Sequence, residues 1–185
     1  MIRCNFIKAV KDRLLSDPDV PVGSFCSGGL DSSLVAAIAA ENIPRLHTFA
    51  VGMRDANGEL SDDLKAGRIA ADYIGATHHE LVFSEDDYYE ALPLVIRKLE
   101  TYDPALVRCA VPCYFTCQLA ADYVTVVLTG EGAEVDARKG EVGIGQPHLE
   151  AIGVACFGQQ RLGLFHIAGE RLLRAVRAQE TNGDH

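Results

Sequence analysis

The stretch that most constrains this chain is Ser27-Gly28-Gly29-Leu30-Asp31-Ser32-Ser33, because of what lies on either side of it. Val20-Pro21-Val22-Gly23-Ser24-Phe25-Cys26 reads as a strand, and the alanine-rich run Leu34 to Glu41 reads as a helix. The loop therefore leaves the carboxyl end of a strand and opens a helix. The first turn of a helix has N–H groups without partners and the positive end of the dipole, so an anion placed there gains from both. Two glycines let the backbone approach that anion, and three serines add hydroxyl donors. Asp31 alone would repel a phosphate, but it becomes useful if it holds Mg²⁺ that bridges to the phosphate oxygens. A plain glycine turn capped by serine and aspartate is the competing account of the same residues.

The rest of the chain alternates strands and helices. Ile2, Phe6, Val10 and Leu14 form one face of an opening amphipathic helix, which Ser16-Asp17-Pro18-Asp19 ends. Leu46 to Val51 is the second strand, followed by a polar loop from Gly52 to Leu60. Ser61 is expected to cap a helix running to Gly75, and Thr77 to Phe83 is the third strand. Ser84 with Glu85, Asp86 and Asp87 repeats the capping pattern before a helix from Tyr88 to Leu99. Pro112 is placed to open a further helix through Ala120. Val124 to Leu128 is the best candidate for a strand buried on both faces, and it delivers Thr129-Gly130-Glu131-Gly132 at its carboxyl end. Ligands of open α/β sheets bind outside the carboxyl ends of strands, so both loops are expected to face one crevice. The pattern predicts a doubly wound parallel sheet in a three-layer α/β/α domain.

Bulk properties narrow the function classes. At 185 residues the chain suits one domain with a proper core. A net charge of −9 argues against a nucleic-acid partner, because phosphate backbones are bound by clustered Lys and Arg. No apolar run approaches the roughly 18 residues of a membrane span, and Met1-Ile2-Arg3-Cys4-Asn5 lacks the layout of a secretory signal, so a cytoplasmic location is the expectation. Cys109, Cys113 and Cys117 recur every four residues on one helical face, which invites a metal reading, but buried packing accounts for them better without a Cys-x-x-Cys pair. His78 and His79 are adjacent in a strand and point to opposite faces, so they cannot share one metal.

The loop Ser27 to Ser33 resembles the pyrophosphate loop of the N-type ATP pyrophosphatases, whose pattern is Ser-Gly-Gly-x-Asp-Ser. It lacks the Gly-Lys-Ser/Thr ending of a Walker loop. Together with Leu46-His47-Thr48-Phe49-Ala50-Val51-Gly52, His78-His79-Glu80, Glu100-Thr101-Tyr102-Asp103 and Thr129-Gly130-Glu131-Gly132, the chain is similar to the synthetase domain of the glutamine-dependent asparagine synthetases over roughly residues 1 to 134. The resemblance implies an adenine nucleotide alpha hydrolase-like fold over residues 1–140. It also implies a reaction in which ATP adenylates the aspartate side chain, pyrophosphate leaves, and ammonia converts the acyl-adenylate to asparagine and AMP.

By the same resemblance Ser27, Gly28, Gly29, Leu30, Asp31, Ser32 and Ser33 would hold pyrophosphate, with Asp31 and Glu134 serving Mg²⁺. Phe25 and Val51 would flank the adenosine, Thr129 and Gly130 would touch the nucleotide, and Glu131 with Asp31 would act in forming the acyl-adenylate. The chain departs from the family after Gly132: Ala133-Glu134-Val135-Asp136 replaces a small residue followed by Asp-Glu, and no Phe-Gly-Gly-Tyr-like turn follows. Residues 141–185 do not align and are expected to be helical, with an amphipathic run from Arg161 to Arg177 packed on the same domain. Without a glutaminase half, ammonia is expected to come free or from a separate glutaminase subunit; a homo-oligomer is the other partner expected. Two other expectations stand beside the first: a shortened relative that binds ATP with weak turnover, and an AMP-forming enzyme that amidates another carboxylic acid.

Overall fold

A computed structural model describes residues 2–14, 20–55, 57–130 and 153–156. The opening helix α1 covers Ile2–Arg13. Three βα units follow: β1 (Val22–Phe25), α2 (Leu30–Ala40), β2 (His47–Gly52), α3 (Asp62–Ile74), β3 (Thr77–Val82) and α4 (Glu85–Leu99). Helix α5 (Pro104–Ala121) leads into β4 (Val126–Thr129), and β5 (Gly153–Cys156) completes a sheet of order β3-β2-β1-β4-β5. The four strands β1 to β4 are parallel, as the alternating pattern predicts. β5 joins β4 antiparallel, so one edge of the sheet departs from an all-parallel order, and residues 153–156 form a strand inside the segment read as helical. The rest of that segment lies outside the described residues.

Two layers of helix cover the sheet, and each has its own core. On one face Val35, Ala36, Ile38 and Ala39 of α2 pack with Val10 of α1 and with Val22, Leu46 and Leu128 of the strands. Small alanines let α2 lie close on the strands, while each fully buried valine or leucine contributes about 1.5–3 kcal/mol. On the other face Cys117 and Ala120 of α5 pack on Phe49 and Val127. α4 lies outside α5 and buries Val95 and Leu99 against Val107 and Val111. Among the described residues, no helix is long and apolar enough to cross a membrane.

Two helix starts, those of α2 and α5, depart from the pattern reading, and α4 begins at Glu85, three residues ahead of the expected Tyr88. α2 begins at Leu30, so Asp31, Ser32 and Ser33 lie in its first turn rather than in the loop before it. α5 begins at Pro104, eight residues ahead of Pro112, because the Asp103 carboxylate accepts from Ala105 N–H at 2.8 Å and Leu106 N–H at 3.1 Å. Pro112 then lies inside α5, where buried residues on either side, Val107, Val111 and Cys117, hold the helix together despite the missing N–H. Ser61 does precede α3, but its hydroxyl caps nothing and is buried without a hydrogen-bond partner among the described residues. Ser84 behaves as expected, exchanging bonds with Asp87 in a capping box.

The two adjacent histidines do point to opposite faces. His78 Nδ1 and Thr48 Oγ1 share a hydrogen bond at 2.9 Å, while His78 Nε2 is buried 3.5 Å from Glu80 Oε1 without a hydrogen bond. Glu80 is held instead by Arg68 of α3, at 3.1 Å and through a second bond at 2.6 Å. Burial pushes the His78 imidazole below the ordinary histidine range, with Glu80 opposing part of that effect. The unfolded chain takes up a proton near the free histidine value of about 6.5, and the folded chain resists it. Stability is therefore full above that pH and falls as the pH drops through it. The thermal midpoint is expected to decline between pH of about 7.5 and about 5.5, and to decline less in His78→Gln; equal slopes for the two proteins would show that this imidazole does not carry the effect.

Candidate functional site

The sheet order places a topological switch at β1. From β1 the chain winds outward through β2 to β3, with α2 and α3 on one face. It then returns across the other face through α4 and α5 to set β4 on the far side of β1. The loops leaving β1 and β4 thus diverge at neighbouring carboxyl ends, where open α/β sheets form their ligand crevice. β4 pairs with β1 in the register Val22↔Val126 to Ser24↔Leu128, which brings Thr129 and Gly130 level with the start of the phosphate loop. A Cβ added to Gly130 would lie 3.1 Å from the Asp31 carbonyl carbon and from the Ser32 nitrogen. The two sequence-predicted segments are in direct contact.

The two loop glycines do different work. Gly28 adopts φ +81°, in the left-handed region that side chains avoid, and a Cβ there would run into Ala66 and stand 2.6 Å from the Gly67 nitrogen. Gly67 in turn leaves no space for a side chain, since its Cβ would meet the Cys26 carbonyl oxygen at 2.5 Å. The phosphate loop is therefore seated on the middle of α3. Gly29 has open space, with nothing among the described residues nearer than Ser27 Oγ at 3.6 Å. It is the N-cap of α2 and supplies no side-chain cap, so the first-turn N–H groups face the crevice free of side-chain partners.

Hydroxyls and a carboxylate surround that turn. Ser27 Oγ and Ser32 Oγ are 3.2 Å apart, and Ser32 Oγ donates to the Gly29 carbonyl at 3.2 Å. Ser33 Oγ is buried beside the Cys26 thiol. Asp31 makes no hydrogen bond or ion pair with a described residue, and Leu30 is 82% exposed at the mouth of the loop. A carboxylate with no partner among the described residues is a ligand type that Mg²⁺ takes, so the chemistry of Asp31 is compatible with holding that metal. Cys26, directly before the loop, is fully buried, and burial pushes its thiol pKa up against smaller lowering from the Gly28 N–H and the Ser33 hydroxyl.

Phe25 and Val51 sit on the adjoining strands. The Phe25 ring packs into the core beneath α5. Phe49 C=O accepts from Cys26 N–H at 2.9 Å, whereas Gly52 C=O accepts from Phe83 N–H at 3.0 Å, so odd-numbered residues of β2 turn their peptide groups toward β1 and even-numbered ones toward β3. Val51 is odd and lies two residues past Phe49, the last β2 partner of β1. It therefore presents a main-chain edge with no strand beside it among the described residues. Glu131 follows Gly130 directly in the chain, and Glu131 and Glu134 both lie outside the described residues.

Pattern reading missed the supports of the loop. Gly67 carries a readable signal, an isolated glycine inside an otherwise strong helix, which usually marks close packing. Ala66 carries none. Of the three cysteines read as buried packing, Cys117 is buried and Cys113 half-buried, whereas Cys109 is exposed.

The family model described as asparagine synthase matches residues 1–135. The chain is 42% identical over 144 residues to a probable glutamine-hydrolysing asparagine synthetase of Dictyostelium discoideum, covering 70% of this chain and 25% of that protein. Against glutamine-hydrolysing asparagine synthetase 3 of Arabidopsis thaliana it is 41% identical over 145 residues, covering 72% of this chain and 24% of that protein. The chain thus spans about a quarter of the length of the curated relatives it matches. Among solved structures, an NH3-dependent NAD synthetase from Campylobacter jejuni superposes with a TM-score of 0.50 at 13% identity, covering 98% of this chain and 84% of that one, a likeness of fold.

The contrast between the two glycines is measurable by urea unfolding. Gly28→Ala is expected to destabilise by about 2–4 kcal/mol, the left-handed penalty added to overpacking against α3. Gly29→Ala should cost only about 0.5–1 kcal/mol, as an alanine at an N-cap does.

Proposed function

The chain belongs to the asparagine synthase family, and from that premise we propose that it carries out the ATP-dependent half of amide synthesis. It would adenylate the side-chain carboxylate of aspartate and pass the activated acyl group to ammonia. A carboxylate oxygen attacks the α-phosphorus of ATP, the bond from that phosphorus to the bridging oxygen breaks, and pyrophosphate leaves. Ammonia then attacks the mixed-anhydride carbonyl, loses a proton, and expels AMP. The observation that carries this reading is the contact between Gly130 and the Asp31–Ser32 turn, which joins two loops far apart in sequence into one crevice.

Each residue has a defined task in this scheme. The first-turn N–H groups of α2, with Gly29 open before them, would receive the β and γ phosphates, and Ser27, Ser32 and Ser33 would add hydroxyl donors. Their orientation is preset by the seating of Gly28 on α3, so little reorganisation is needed as negative charge builds on the leaving pyrophosphate. Val51 would read the adenine edge with its unpaired peptide groups, while Phe25 supports the floor through its packed ring. Thr129 and Gly130 would line the nucleotide's other side, and Glu131 would assist formation of the acyl-adenylate. Asp31, together with Glu134, would hold Mg²⁺, which when bound neutralises phosphate charge.

Mg·ATP, aspartate and ammonium are expected to give AMP, pyrophosphate and asparagine in equal amounts, measured by chromatography. Asp31→Asn should lower the rate by about 100- to 1000-fold, the scale of losing one preorganised charge-stabilising group. Calorimetric Mg·ATP binding with no AMP formed would reduce the chain to a nucleotide-binding relative. AMP formed only with another carboxylic acid would move the acceptor away from aspartate.

A further inference from the structure

His47 and His79 lie away from the phosphate loop, toward the amino-terminal ends of the strands, and the proposed reaction uses neither. His47 opens β2 and pairs in register with Thr77, so His79 stands two residues further along β3, diagonally across on the same face. His47 Nδ1 and His79 Nε2 are 2.8 Å apart. The rings are only 6° from parallel, with centroids 5.1 Å apart. Nitrogens this close between centroids that far apart leave the rings edge to edge, so the two nitrogens are aimed at one point between the strands.

The surroundings hold this arrangement. Tyr123, in the turn between α5 and β4, packs on His79 with centroids 3.8 Å apart and on His47 at 6.0 Å, and the Phe49 ring supports His79 at 5.2 Å. Burial, then the neighbouring His47, pushes the His79 imidazole below the ordinary histidine range. Neutral imidazole is the form that binds transition metals. Both histidines are only partly buried and Tyr123 is 46% exposed, which leaves an approach from solvent.

We propose that the His47–His79 pair is a binding site for a divalent first-row transition metal of the zinc, nickel or copper kind, with water completing the coordination shell. Two metal–nitrogen bonds of about 2.0–2.1 Å at a tetrahedral angle span about 3.4 Å, so the facing nitrogens must part by about half an ångström and each ring must tilt from its head-to-head pose to aim its lone pair at the metal. The ring that donates in the metal-free pair shifts its proton to its outer nitrogen, and binding requires no net deprotonation. The metal ties β2 to the edge strand β3 and stabilises the folded chain by mass action. His78 is turned to the opposite face, onto Thr48, and takes no part. The site stands apart from the nucleotide reading and survives its failure.

The test uses Ni²⁺ alone and Zn²⁺ alone with the full chain. Either ion is expected to raise the thermal midpoint in a manner reversed by EDTA. Each variant is compared with its own metal-free midpoint. The increment should be retained in His78→Gln and Cys113→Ser, and apparent affinity should fall at least tenfold in His47→Gln and in His79→Gln. In the unmodified protein, paramagnetic Ni²⁺ should broaden the imidazole NMR signals of His47 and His79 before those of the other histidines, a readout that needs no variant to fold. An increment that persists in both His47→Gln and His79→Gln, or no broadening of these two rings at millimolar Ni²⁺, overturns the proposal.

Discussion

The arrangement of the crevice depends on one close contact, the seating of Gly28 against Ala66 and Gly67 in the middle of α3. A loop that must leave its first-turn N–H groups free for a ligand cannot be held by those same groups. It is held from behind, by backbone packed on backbone, with a glycine on each side of the contact. The loop keeps its shape without occupying the donors that face the crevice. The cost is a residue at φ +81°, a conformation that nearly every side chain would strain.

The winding of the sheet supplies the second half of the crevice. Because β4 returns to the side of β1 opposite β2, its carboxyl end lies beside that of β1, and Gly130 can touch the first turn of α2. The same winding leaves Val51 extending past the end of β1, with peptide groups turned toward a space that no described strand fills. Donors at the helix start, a carboxylate with no partner among the described residues, and an unpaired strand edge all converge through topology. None of them is adjacent to all the others in the chain.

The histidines show where neighbouring residues in sequence mislead. His78 and His79 are adjacent but serve opposite faces, one bonded to Thr48 and the other paired with His47. The partner of His79 is set by the β2–β3 register, which a pattern of alternating residues does not contain. Helix limits tell a similar story. Pro112 reads as a helix start, yet α5 runs through it, because packing on both sides outweighs one missing hydrogen bond.

Local chemistry was legible in the sequence. A strand, a glycine turn and a helix in immediate succession specify a βα unit with an anion-binding start. Alternating elements specify a parallel sheet, and the motifs from Ser27 to Gly132 specify the family. Each of these follows from side-chain type and short-range spacing. Only the tertiary structure decided which glycine is structural and which is open, that Asp31 to Ser33 belong to the helix, that Gly130 meets Asp31, and that His47 faces His79. Those facts rest on strand order, register and the approach of α3 to the loop. They come from packing between segments far apart in the chain, which residue type and short-range spacing do not encode.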